Sequence, residues 1–273
     1  MRLATRATAV LACAVSSACA ATSPVLVEPR LQRDGEVRLQ VGAAAAAPIG
    51  GDLEAVREAR ARLSTPTTMP MEADKALPAV AVAYGARPGV APVVRATVGL
   101  SKMVEAYLQY GGRDIAVSGR WLLAEWRSVE AGATTISVGA GGRALLRGRP
   151  EDGYAGGMVS DDVRGYGVFA PLILGWQSDA GLLIAYVAAT LGYEQISGRV
   201  AFGGGSDMDR ARDLSIGHLS GAGTVGVGVG FRKIRVAIEL GTRRDWLDTK
   251  IDDERAKIGL WSLTPAFSLG WTL

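Results

Sequence analysis

A chain of 273 residues with 30 basic and 27 acidic side chains carries a formal charge of +3. No basic run stands out of that near balance, which excludes a nucleic-acid surface built on clustered Lys and Arg. Both cysteines, Cys13 and Cys19, lie near the start, so the rest of the chain has neither a disulfide nor a Cys-ligated metal.

The chain opens with MRLATRATAVLACAVSSACA. Arg2 and Arg6 precede an uncharged stretch from Ala7 to Val15 and then small residues, the layout of a secretory signal over 1–20. The VSSAC stretch resembles the lipobox of bacterial lipoproteins, with Ser16 where such boxes usually carry Leu. That resemblance implies lipid attachment at Cys19. Ala18-Cys19-Ala20 also suits ordinary cleavage after Ala20, which is the alternative. Residues 21–35 read as a linker that Pro24 and Pro29 keep extended.

From Glu36 the signal is alternation. In Glu36–Ala43, Val37, Leu39 and Val41 oppose Glu36, Arg38 and Gln40, which predicts a strand. A helical insertion follows at about 51–64, where Leu53, Val56, Ala59 and Leu63 share one face; Arg60 intrudes on it. Its mixed charges suit packing on a rim better than lying on a membrane. Pro66 and Pro70 end it. Further strands are expected at Pro78–Tyr84, Ala91–Val98, Val104–Tyr110, Ile115–Trp126, Thr134–Leu146, Tyr166–Gln177, Gly181–Tyr193, Gly217–Phe231, Lys233–Arg243 and Gly259–Leu273. Short connections on one side alternate, in the C-terminal half, with long Gly- and Asp-rich ones, DWLDTKIDDERAKI among them. No apolar run after the signal is long enough for a membrane helix, so any membrane crossing is by strands. Short turns on one rim and long loops on the other fit an all-β, antiparallel, up-and-down transmembrane barrel. About 10–12 strands are expected, an even number, with twelve slightly favoured.

The polar faces decide which side meets lipid. In HLSGAGTVGVGVGF, Leu219, Val225, Val227, Val229 and Phe231 share one face, and His218, Ser220, Ala222, Thr224, Gly226, Gly228 and Gly230 the other. A water-facing exterior would carry Lys and Glu, and these positions carry none. Small residues suit a crowded lumen, so the apolar face is the lipid face. Trp121, Trp126, Trp176, Tyr186, Tyr193, Trp246, Trp261 and Trp271 fall near strand ends, as interfacial girdles do. The closing PAFSLGWTL alternates Phe267, Leu269, Trp271 and Leu273 outward, and resembles the terminal strand of outer-membrane barrels, with Leu in place of the usual Phe or Trp. That resemblance implies recognition by the barrel assembly machinery. With AVAVAYG, GYGVFAPLILGWQS and GVGVGFRKIRVAIEL, it resembles a loose group of uncharacterised bacterial outer-membrane β-barrel proteins carrying lipoprotein-type signals. This implies a bacterial outer-membrane address, with that membrane's lipids as partners and no defined activity.

Candidate chemistry is sparse. His218 and Ser220 form an H-x-S pair that resembles the active site of outer-membrane lipid A deacylases, with Glu239 the nearest strand acid. Both lie on the proposed lumen face, whereas a lipid-cleaving site must face the bilayer, and Gly221 stands where that family has Asn. Asp207, Asp209 and Asp213, and Asp252, Asp253 and Glu254, lack the glycine turn and terminal Glu of a calcium loop and read as solvated loops. GAGG and GGGS lack the Lys of a phosphate loop. No catalytic residue, metal or cofactor is expected. What remains is the lumen: Arg120, Arg143, Arg235 and Arg243, with Glu105 and Glu239, fall on polar strand faces. Paired, they plug a structural barrel; in a wider one the surplus Arg favours anions in a passive small-solute pore. A lipid-modifying hydrolase and an exported soluble β-sandwich or lipocalin-like binder are the alternatives.

Overall fold

Alternating faces run through long stretches of this chain, and in the computed structural model they produce ten strands: β1 (Val37–Gly51), β2 (Gly89–Ser101), β3 (Val104–Tyr110), β4 (Asp114–Ser128), β5 (Gly132–Leu145), β6 (Met158–Gln177), β7 (Leu183–Phe202), β8 (Arg212–Phe231), β9 (Ile234–Ile251) and β10 (Glu254–Thr272). The structure describes residues 31, 34–64, 73–128, 132–146, 158–202, 211–231 and 233–273. Each strand pairs antiparallel with the next, and β1 pairs with β10 from Arg38↔Thr272 to Gly51↔Leu260, which closes the ring and leaves no free edge. The count is ten, not the favoured twelve.

The outer face is apolar. Leu39, Val94, Leu172, Val187, Val227, Ile238 and Phe267 all point outward and are exposed. Two aromatic rows bound this band. Trp126, Trp176, Phe231 and Trp271 lie towards the rim of short turns, and Tyr166, Tyr193, Trp246 and Trp261 towards the opposite, upper rim. Trp261 and Trp271 sit ten residues apart on β10, a rise of about 26 Å at ~3.4 Å per residue and ~40° tilt, against the ~25 Å band of barrels that cross a membrane. Tyr186 does not belong to a girdle. It is buried in the lumen, where its hydroxyl donates to Glu239, because it lies on the inner parity of β7 with Ile184 and Ala188.

Above the upper row the polarity of the wall inverts. Outward positions become Arg164, Arg199, Asp213, Asp248, Lys250, Arg255 and Lys257, all away from the apolar band. Arg255 forks onto Asp248, and this bond holds the Asp248 carboxyl below its usual range. Inward positions become Val163, Ile196, Val200, Leu214, Ile216, Leu247, Ile251, Ile258 and Leu260, all buried. β6 to β10 thus run on as a wall that is wet outside and dry inside. This explains two corrections. DWLDTKIDDERAKI is no long loop: it is strand apart from a turn at Asp252 and Asp253, Asp252 adopting a positive φ of 52°. Likewise β7 and β8 continue well into the segment read as a loop between Ile196 and Ile216.

The dry inner wall is covered by the segment between β1 and β2. α1 (Leu53–Ser64) starts after Asp52, whose backbone nitrogen and carboxylate both bond Gly259 of β10. It buries Val56 and Ala59 against α2 (Ala73–Ala81). α2 and the π-helical turn Val82–Ala86 that continues it are buried against β9 and β10. The sequence predicted a strand at Pro78–Tyr84. AVAVAY alternates only in size; every residue is apolar, and a segment buried all round carries no periodic signal to separate helix from strand. Pro78 lies inside α2, and the π turn ends at Arg87, in the left-handed region at φ 48°, whose N–H bonds Val82 O at 2.8 Å.

Candidate functional site in the barrel lumen

The six lumen candidates all point inward, and each has a partner. Glu105 and Arg120, opposite one another on β3 and β4, form a buried ion pair at 2.8 Å. Glu239 accepts from Tyr186. Arg243 bonds Asp245 at 3.0 Å and the carbonyl of Ala86 at the end of the π turn. The Arg143 guanidinium lies over the Phe169 ring at 5.3 Å. Arg235 lies on the inner parity of β9, two residues from buried Ala237.

A denser cluster lies directly beneath the helical insert. Arg87 is 1% exposed; its Nε donates to Tyr84 O at 2.7 Å, one terminal nitrogen bonds Glu194, and the other lies 3.8 Å from Asp114. The His218 ring bridges two strands: Nε2 meets Asp245 at 2.8 Å and Nδ1 lies 3.6 Å from Glu194. Through Arg243 the chain of contacts returns to Ala86. Asp114, Arg87, Glu194, His218, Asp245 and Arg243 therefore tie β4, β7, β8 and β9 to the underside of the insert. Removing one member of a buried pair strands its partner, at about 3–5 kcal/mol.

This arrangement bears on the H-x-S pair. Both nitrogens of His218 face carboxylates, and Ser220 Oγ donates to the backbone carbonyl of Gly192 at 3.5 Å. The two side chains of this pair thus face other partners, not one another as a base and its nucleophile do. Among the described residues, no three His, Cys, Asp or Glu side chains are grouped as metal ligands. Of the acidic clusters, Asp252 receives the Asp213 N–H at 3.0 Å and caps the β9–β10 hairpin against β8; Asp207 and Asp209 lie outside the described residues, as does Cys19.

Several cluster members escape sequence reasoning. Arg95, gripped by Gln109 at 2.9 Å with Tyr107 beneath it, carries the same signal as Arg235, an arginine between two apolar residues. Asp245 lies in a segment read as a loop, and Arg87 in one read as a turn. Glu194 lies one residue past the expected end of its strand. With Arg38, Arg87, Arg95 and Arg113 added, and with Asp114, Glu194 and Asp245, the lumen keeps an excess of arginine over acid.

The chain matches no family model and no curated protein. Among solved structures it resembles Neisserial surface protein A (12% identity, 86% of this chain and 98% of that one, TM-score 0.31) and Ail, the attachment invasion locus protein of Yersinia pestis (11%, 88% and 99%, TM-score 0.31). It also resembles the outer membrane protease OmpT from Escherichia coli (8%, 92% and 100%, TM-score 0.42). At these values none of the three assigns a role to any residue here.

Proposed function

We propose that this chain is a bacterial outer-membrane barrel closed by its own helical insert, with a structural rather than a conducting role. The observation that carries this reading is the insert: Val82–Ala86 are wholly buried against the inner wall, and Arg87 locks their lower end to Glu194 and Asp114. The apolar outer band between two aromatic rows supports the membrane address. The outward Phe267, Leu269, Trp271 and Leu273 are the features by which the assembly machinery would take up the chain. Lipidation at Cys19 would add a second attachment.

Membrane fractionation with heat-modifiable gel migration tests the barrel, and planar-bilayer recording tests its closure. Folded wild-type protein is expected to insert without steady conductance; a steady open level in that protein would overturn the closed-barrel reading. The runner-up, an anion-preferring pore, draws on the excess of lumen arginine, whose field low-dielectric walls concentrate.

A further inference from the structure

On the outer wall, at the level of the upper aromatic row, β7 to β10 frame an open groove of about 400 Å³ bordered by Tyr193, Leu219, Trp246, Arg244 and Lys257. Its two acids are already engaged. Asp248 is gripped by the fork of Arg255, and the Asp52 carboxylate accepts the Gly259 N–H at 2.8 Å. Of its cations, Lys257 stands opposite Asp248 on the neighbouring strand and shares that carboxylate's field with Arg255, whereas Arg244, among the described residues, faces no acid. The Arg244 guanidinium lies over the rings of Trp246 at 5.8 Å and Trp261 at 5.4 Å.

We infer that this groove binds the phosphate headgroup of an acylated lipid in the surrounding leaflet. Arg244 presents a planar fork that suits phosphate oxygens, two indoles hold it in place, and Lys257 adds a second charge. Aromatic belts sit at headgroup depth, so a phosphate meets these cations without leaving its own layer. Below the groove the wall carries two glycines: a Cβ on Gly221 would touch Leu191 at 3.6 Å and the Trp246 ring at 3.7 Å, and beyond it the wall opens at Gly223. Gly221 and Gly223 face outward between Leu191 and Ala189 of β7 and Thr242 of β9; a Cβ on Gly223 would touch nothing within 4 Å. The opening at Gly223, below Leu191 and the Trp246 ring that borders the groove, gives an acyl chain a place beside the strand in the apolar band. Headgroup and chain are thus recognised together, which free phosphate cannot satisfy.

The inference rests on the membrane-barrel reading, and its test separates the two. Full-length protein, shown by heat-modifiable migration to be folded, is titrated with bisphosphorylated lipid A, with the same lipid lacking its phosphates, and with inorganic phosphate, while native mass spectrometry counts retained lipid. The bisphosphorylated lipid is expected to be retained and inorganic phosphate not. Loss of the phosphates should weaken retention about tenfold or more, the scale of one charge-assisted hydrogen bond. Arg244→Gln with Lys257→Gln should weaken it equally, whereas Lys102→Gln with Lys233→Gln, the same charge change at the opposite rim, should not. Gly223→Val fills open space and should fold; it is expected to reduce retention by occupying that opening, and it decides the matter if the double variant misfolds. Equal retention of the phosphate-free lipid, or undiminished retention by the groove variants, overturns the inference. Failure of the wild type to insert fails the membrane reading instead.

Discussion

Arg87 shows how one side chain can hold two parts of this molecule together. It is enclosed and answers acids from β4 and β7 while bonding the backbone of its own turn. Arg87→Ala is expected to destabilise the protein by about 3–5 kcal/mol, the cost of leaving buried carboxylates unpaired. Glu194→Ala should cost a similar amount, and the double variant less than the two together; urea titration of the folded band checks this, and strict additivity would mean the two do not communicate. On the opposite face of the wall the demands reverse. Val227 points outward, so Val227→Arg should cost about 2–4 kcal/mol in the bilayer. Its neighbour Gly226 points inward, and any Cβ there collides with the Tyr186 ring; Gly226→Val should fail to fold for lack of space, while Gly223→Val, on the outer face, should not. If all three fold alike, the two faces have been confused. If Cys19 carries the lipid that the lipobox resemblance implies, replacement by Ser should abolish acyl labelling yet leave the barrel able to insert, since the apolar band does not depend on it.

Among the elements, the helical insert is held by apolar contact above and by charge below. Leu77, completely buried, is the test of the apolar half: Leu77→Ala should cost about 2–5 kcal/mol, expressed as protease cleavage within 52–88 while the barrel keeps its gel migration. Cleavage no faster than in wild type would mean the insert is held by its lower end alone. How far such elements can be read from sequence follows from where their faces point. β10 is plain from Trp261 onward because its outer residues are apolar and its inner ones small, two classes that differ at every step. From Ile258 towards Glu254 that rule inverts, apolar inside and charged outside, so the same test reports a loop where the strand continues. β9 is lost beyond Arg243 for the same reason, and with it Asp245. α2 and the π turn are lost because they are apolar on every side. Arg120, Arg143 and Arg235 are legible, since each is a charge set between apolar or small neighbours; Arg243, beside Arg244, is legible only by the parity of its strand. The cluster beneath the insert is not legible, because its members come from segments distant in sequence that only the closed ring brings together.

At the scale of the whole molecule, the barrel is a membrane-facing cylinder below and a water-facing half-wall above, with the insert fitted into the half-wall. If displacing the insert opens the lumen, the excess of arginine should set the selectivity. Leu77→Asp is expected to give steady conductance that prefers anions, and Arg235→Glu in that background should reduce or reverse the preference. The effect should weaken from 0.1 M to 1 M salt as the screening length falls from about 10 Å to about 3 Å. An open channel indifferent to ion sign would remove the electrostatic part of this expectation. The pairing of β1 with β10 also fixes an order of events. The insert is tethered immediately after β1, but the wall that receives it is built from β6 to β10, so its contacts span almost the entire chain. Such long-range contacts form late and slowly. The pairing that closes the ring sets β10 beside the strand that leads into the insert, so the insert's seat is complete only when the ring is.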